Sequence, residues 1–448
     1  MSGDGVATRR RSPLRRRGFG LLWAGGLVSD LGDWTLLIGL PVFVFELTGS
    51  ALVTSTIFVA ELLPALLVGQ VGGVLVDRWD RKRILVIASL LQALLLLPLL
   101  LVDSPDRLWI VYVVAGAESA LARVCAPATA ALIPSLVPPD ELAAANGLNA
   151  TAGSLARLVG APVGGLAIQF LGLTGVVLAD AVTFLAAAGL VAAIPRSAIR
   201  APAAAARETI ETGARAGRRL GGFVRDWLDG LRTIVRVPGL APIVGIGAAA
   251  QLAQGIFVVL YVVFVLDVLR ADGGAVGIIR GMQAIGGIVG GLAAGWLLAR
   301  LGTRALVGWG FVVFGLIALA TWNASAVTDS VAFYAVAFAV AGVPIVAVAV
   351  GLLTALQARS PATHVGRVYA AYEALGGGVQ AVGVLVAGAL ADAIGVLPIL
   401  DVQALIYVAC GVAALALLPR RDPLPNAGPG VEPAAPGGVP AEPPTRPS

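Results

Sequence analysis

Asp30 and Asp33 stand three residues apart inside a long apolar, glycine-rich stretch from Phe19 to Phe45. That spacing puts both carboxyl groups on one face of a helix. Further charges lie in equally apolar surroundings: Glu61, Glu118, Arg123, Arg157 and Asp180, then Arg280, Glu373 and Asp401. On insertion scales each such charge costs roughly 2.5–3.5 kcal/mol, so it marks a pathway or a paired interior site. A carboxyl group in a low-dielectric setting can load and release a proton near neutral pH. Asp33, Asp30 and Glu61, in that order, are the proton-coupling candidates, followed by Glu118. The alternative is structural: Arg123 or Arg157 pairs with a nearby acid and holds helices together.

Other chemistries find no support. Lys82 is the only lysine and no glycine-rich phosphate loop precedes it, which argues against ATP hydrolysis. His364 is the only histidine, leaving neither a serine triad nor a zinc-protease pattern. Cys125 and Cys410 are isolated, so neither a disulfide framework nor a zinc site is expected. No cofactor and no metal are expected.

The elements that must position these charges follow from composition. Hydrophobic residues make up 58% of the 448-residue chain and charged residues 13%, against roughly 25% charged in soluble domains. At about 20 residues per crossing the length accommodates roughly twelve helices. The expected fold is an all-α polytopic membrane protein. The net charge of +5 does not point to nucleic acid. Nearly all the arginines fall in alternate loops, which is orientation information and predicts both termini in the cytoplasm.

Residues 1–18 read as a basic cytoplasmic tail, and 19–195 as a first bundle of six spans. Residues 196–238 form a basic cytoplasmic linker whose Phe223–Val235 part is an amphipathic helix candidate for the membrane surface. A second six-span bundle covers 239–418, and 419–448 form a proline-rich cytoplasmic tail. Between predicted spans 2 and 3 lies a charge cluster, Gly73 to Arg83, holding Asp77, Arg78, Arg81 and Lys82. A weaker copy, Gly295 to Arg304, follows in the second half. A loop repeated in two halves marks a transporter-like internal repeat. Gly69 and Gly73, and again Gly287, Gly291 and Gly295, have the spacing of close helix packing.

On these residues the chain resembles the major facilitator superfamily. Its signature between spans 2 and 3 is matched by Gly73, Asp77, Arg78, Arg81 and Lys82, with Asp80 in place of the second glycine. The second copy keeps Gly295, Arg300, Gly302 and Arg304 but has Ala299 where aspartate would stand. Gly153, Gly160, Pro162, Gly164 and Gly165 resemble the span 5 motif of drug–proton antiporters, with Ala161 replacing a glycine. Leu136–Leu142 with Ala145-Asn146-Gly147, and Ser29–Trp34, are similar to the branch of siderophore and macrolide exporters. The resemblance implies the major facilitator fold of two six-helix bundles, a latch between the halves at Asp77 and Arg78, and a part in proton transfer for Arg123.

Aromatic residues offer an amphipathic substrate a surface: Trp23, Trp34, Phe43, Phe45, Phe257, Tyr261, Phe264, Tyr369 and Tyr372. The expectation is a monomeric cell-membrane exporter of amphipathic small molecules, in the lipid bilayer, exchanging them for protons. Its rivals are a lipid or lysophospholipid transporter without proton exchange and, more remotely, an intramembrane enzyme or a sensor.

Overall fold

A computed structural model describes residues 12–62, 64, 79–199, 220–361 and 364–419. The described elements are helical: α1 Arg17–Thr48, α2 Ala51–Leu62, α3 Arg81–Leu96, α4 Leu108–Leu136, α5 Leu142–Ala192, α6 Leu220–Arg236, α7 Leu240–Val263, α8 Gly273–Asn323, α9 Val331–Arg359, α10 Val365–Ile394 and α11 Val396–Leu417. Among the described residues, nine helical stretches are long and apolar enough to cross a membrane. Two of them are 54 residues long, far more than one crossing of about 20 needs. Each folds back at a glycine with positive φ, Gly172 (φ 63°) in α5 and Gly302 (φ 71°) in α8. An L-residue rarely adopts that backbone, and glycine adopts it freely. The sequence predicts separate spans on either side of both points. Each bend separates two helical segments, as that reading has it.

Other breaks have equally local causes. α1 ends at Gly49 in the left-handed conformation (φ 63°), whose N–H bonds to the Phe45 carbonyl. Asp80 caps the start of α3 by accepting from the Arg83 N–H at 3.1 Å. Asp272 does the same for α8, accepting from the Ala275 N–H at 2.9 Å. Such caps satisfy donors that a helix start leaves unpaired.

Both ends of the described chain lie at one face of the molecule, here the basic end, with Arg16, Arg81, Lys82 and Arg359. One apolar core joins the two halves toward the opposite, far end, packing Leu40, Val42, Ile57 and Val176 with Val259, Leu260, Val263 and Val276. Toward the basic end the core divides. Phe19, Ile84, Leu132 and Val191 pack within the first half, and Ile243, Phe311, Leu356 and Tyr407 within the second. The outer surface is apolar, with residues such as Leu94, Leu101, Leu292 and Val382 more than half exposed, as a lipid-facing wall requires.

The linker helix is present as α6, and its apolar face has a specific seat. Trp227, Leu231 and Ile234 turn inward onto the second half, and Gly230 lies against the Arg367 carbonyl and Ala371 of α10. Asp229 pairs with Arg232 at 3.3 Å and approaches Arg367 at 3.9 Å. The expected membrane-surface face is therefore used for packing on α10.

Candidate functional site

The central feature is a cavity of about 530 Å³ between the halves. α1, α2 and α4 line one wall with Asp33, Trp34, Glu61, Phe58, Glu118 and Arg123. α7, α8 and α10 line the other with Phe257, Tyr261, Arg280, Gln380 and Val384. Its size and its apolar lining with few polar groups suit an organic molecule. Three of the four proton-coupling acids thus share one wall, drawn from three separate helices. Asp30, the fourth, lines a second cavity of about 380 Å³ with Gly153, Ser154 and Arg157. Asp33 and Trp34 line both, so Asp33 stands at the junction of the two spaces.

The partners of these groups set their roles. Glu118 accepts a hydrogen bond from Gln92 Nε2 at 2.5 Å, while its other oxygen is buried without a partner. Ser119 donates to the Glu61 backbone carbonyl at 2.6 Å and so ties α4 to α2. Asp180 is fully buried; Thr183 Oγ1 donates to one of its oxygens at 3.2 Å and the other has no partner. It lies directly against Gly32, the residue before Asp33. Arg157 packs its guanidinium over the Trp34 ring at 4.8 Å from the centroid, a contact worth roughly 0.5–2 kcal/mol. Arg157 therefore holds Trp34 at the junction.

Two of the charges expected to be buried are exposed. Glu373 is exposed: it lies about 200° around α10 from buried Ala371, on the opposite face. Asp401 is half-buried near the far end of α11, where it accepts from Asn323 Nδ2 at 2.7 Å. Arg123 is likewise exposed, on the wall of the central cavity. Hydropathy reports which stretch is apolar and not which way each side chain faces.

The span 5 motif divides between two faces of α5. A Cβ on Gly160 would meet the Leu31 carbonyl at 2.6 Å and Trp34 at 2.8 Å, and one on Gly164 would meet the Thr35 backbone at 2.5 Å. These two glycines let α5 lie on α1. Gly165 and Pro162 face the second half instead: Gly165 abuts Gly273 and Gly277, and Pro162 lies against Gly281. Gly153 has open space around it and lines the side cavity. The stripe Gly273, Gly277 and Gly281 was readable as four-residue spacing, but its significance depends on α5 opposite. In the later part of α8 the packing register differs from expectation by one residue. Gly286 and Gly290 press on Ala339 and Val343 of α9, while Gly287 and Gly291 make looser contacts with Val346 and Gly295 faces open space.

At the far end two acids bridge the halves. Gln169 donates to Asp272 at 2.7 Å. Asp392, near the end of α10, accepts from Ser50 Oγ at 2.9 Å and from the backbone N–H of Ala51 at 3.0 Å, with Leu52 N–H at 3.4 Å. A carboxylate on the positive end of α2 is doubly favoured, by hydrogen bonding and by the helix dipole. Such an acid-on-helix-start latch was expected of Asp77. Gly73, Asp77 and Arg78 lie outside the described residues. Arg81 and Lys82 do not bridge the halves in their described bonds: Arg81 donates to the Ala131 carbonyl at 3.2 Å and Lys82 to that of Ile194 at 2.7 Å, both in the first half.

Asp392→Ala is expected to loosen far-end closure by about 1.5 kcal/mol, roughly tenfold in the open-to-closed ratio. With both native cysteines replaced by serine, a cysteine placed at cavity-lining Leu37 should then react faster with a membrane-impermeant maleimide applied at the far face. An unchanged rate would show that the latch does not hold the seam.

A bundle of apolar spans joined at one end around a central cavity defines a membrane carrier. The chain belongs to the transmembrane secretion effector family of major facilitator transporters, whose model matches residues 8–429. It is 26% identical over 420 residues to the uncharacterised MFS-type transporter YfiS of Bacillus subtilis, covering 89% of this chain and 91% of that one. It is also 26% identical over 281 residues to macrolide efflux protein A of Streptococcus pyogenes, covering 62% and 66%. In fold it is similar to the nucleoside transporter NupG (TM-score 0.73, 12% identity, 89% and 99% covered). A bacterial homologue of the lysosomal transporter Spinster in an inward-facing state also shares the fold (TM-score 0.64, 15% identity, 91% and 96% covered).

Proposed function

We propose that the chain is a secondary active transporter of twelve spans in two six-helix bundles, which exports amphipathic organic compounds from the cell in exchange for protons. The observation that carries the reading is the central cavity, with Asp33, Glu61 and Glu118 on one wall and aromatic rings with Arg280 on the other. The likeness to a protein named for macrolide efflux supports outward transport. Splitting the two long helices at Gly172 and Gly302 and counting α2 toward the expected second span supports the reading of twelve crossings.

Alternating access then works as follows. The far-end seam (Gly165 on Gly277, Asp392 on the start of α2) is closed in this state, and the halves have separate cores toward the basic end. The arginine distribution supports a cytoplasmic basic end in a plasma-membrane protein. Substrate enters from that side, proton release and binding at the acid wall alternate with substrate, and the halves rock about the cavity. Gly73, Asp77 and Arg78 act as the gate of the basic end in the opposite state. The working unit is a monomer.

Deleting the gene tests the reading directly. Compared with its parent, the deletion strain should retain at least one amphipathic compound and become more sensitive to a subset of amphipathic antibiotics. Identical export and susceptibility profiles would contradict it.

A further inference from the structure

The two walls of the central cavity carry opposite chemistry, and Arg280 is the reason. It lies in α8, eight residues into a membrane span. Its guanidinium packs against two aromatic faces, Phe257 at 4.7 Å and Tyr261 at 5.9 Å from the ring centroids. Tyr261 is itself fixed, donating its hydroxyl proton to the Val276 carbonyl at 2.5 Å. Nη1 of Arg280 donates to Gln283 Oε1 at 2.7 Å. Among the described residues no carboxylate forms an ion pair with it.

An arginine has five N–H donors in a planar fork that matches a carboxylate or phosphate. Here one donor is used by a neutral side chain and the fork is held rigid by stacked rings. The group lines the cavity opposite the acids Asp33, Glu61 and Glu118, with Arg123 beside those acids on their wall. A cation so placed is preorganised to receive an anion, because the ordering cost of its side chain has already been met by Phe257 and Gln283.

Resting on the export reading above, we propose that the preferred substrates are amphoteric: an apolar body carrying an ammonium group toward the acid wall and a carboxylate or similar oxyanion toward Arg280. Arg280 is the specificity residue for the anionic group. A purely cationic amphipath would leave the guanidinium without its partner, and a buried polar group left unpaired is the strongest source of discrimination a pocket has.

Matched fluorescent probes test this in proteoliposomes holding the full-length chain. Nα-dansyl-lysine carries an apolar ring system and a carboxylate at one end and an ammonium at the tip of its side chain, and dansylcadaverine is the same molecule without the carboxylate. The intact protein is expected to move dansyl-lysine roughly tenfold better or more, the least expected from one desolvated charge pair. In Arg280→Gln the ratio between the two probes should fall toward one, and Arg280→Lys should retain part of it. Because each ratio is internal to one preparation, a lower yield of folded variant does not move it. Equal transport of both probes by the intact protein overturns the proposal and leaves the export reading standing. A preference that survives in Arg280→Gln overturns the role of Arg280. Transport of neither probe contradicts the export reading and the proposal together.

Discussion

Asp33→Asn should abolish uphill transport while leaving a folded, membrane-inserted protein. The substitution keeps the size and hydrogen-bonding reach of the side chain and removes its ability to exchange a proton. Asp33 is the one acid that lines both the central and the side cavity, and Asp180 packs against its neighbour Gly32. A proton carried at that junction can be exchanged between the two spaces, whereas Glu61 and Glu118 face only the central one. Accumulation against a gradient in vesicles should fall to the passive level, and downhill counterflow of substrate should persist. Retained uphill accumulation by Asp33→Asn would assign the proton to another residue, with Glu118 next in line because one of its oxygens is buried and unpartnered.

The second large effect is expected at the seam. Gly165→Val puts branched carbons where the backbone of Gly273 and Gly277 already lies. Overpacking a well-filled contact costs about 1–3 kcal/mol, and here both neighbours are backbone and cannot rotate away. Transport should be lost, with the far end held open, and the melting temperature of the purified protein should drop. Gly153→Ala is the comparison, since that glycine has open space around it. It should keep most activity. Equal loss in both variants would mean that the motif acts through α5 flexibility and not through the contact with α8.

The class of the fold was legible because a lipid environment forces apolar runs of a set length and basic loops on one side. Even the bends at Gly172 and Gly302 coincide with breaks expected between spans. What resisted reading was the azimuth of each side chain and the pairing of helices. Glu373 and Arg123 were expected to be buried because their neighbours in sequence are apolar, but a helix shows its faces to different surroundings. The same ambiguity displaced the α8–α9 contact from Gly287 and Gly291 to Gly286 and Gly290, a rotation of about 100°. Asp392 carries no signal of its own in the sequence, and its meaning appears only once the start of α2, about 340 positions away, lies beside it. Phe58 and Gln92 were also passed over: one lines the cavity, the other holds Glu118. By contrast, Asp33, Glu61 and Glu118 were found from charge in apolar context, and the fold does gather them on one wall.

The most direct test of proton-driven exchange is dansyl-lysine movement in proteoliposomes under imposed pH gradients of either sign, because the probe stays zwitterionic across the neutral range and its passive partition is insensitive to pH there. Protons leaving the acidic compartment should drive dansyl-lysine into it, the direction should reverse with the gradient, and both responses should vanish in Asp33→Asn vesicles. Dansyl-lysine movement that ignores the sign of the gradient, or that matches between wild type and Asp33→Asn, would contradict proton antiport through this acid wall.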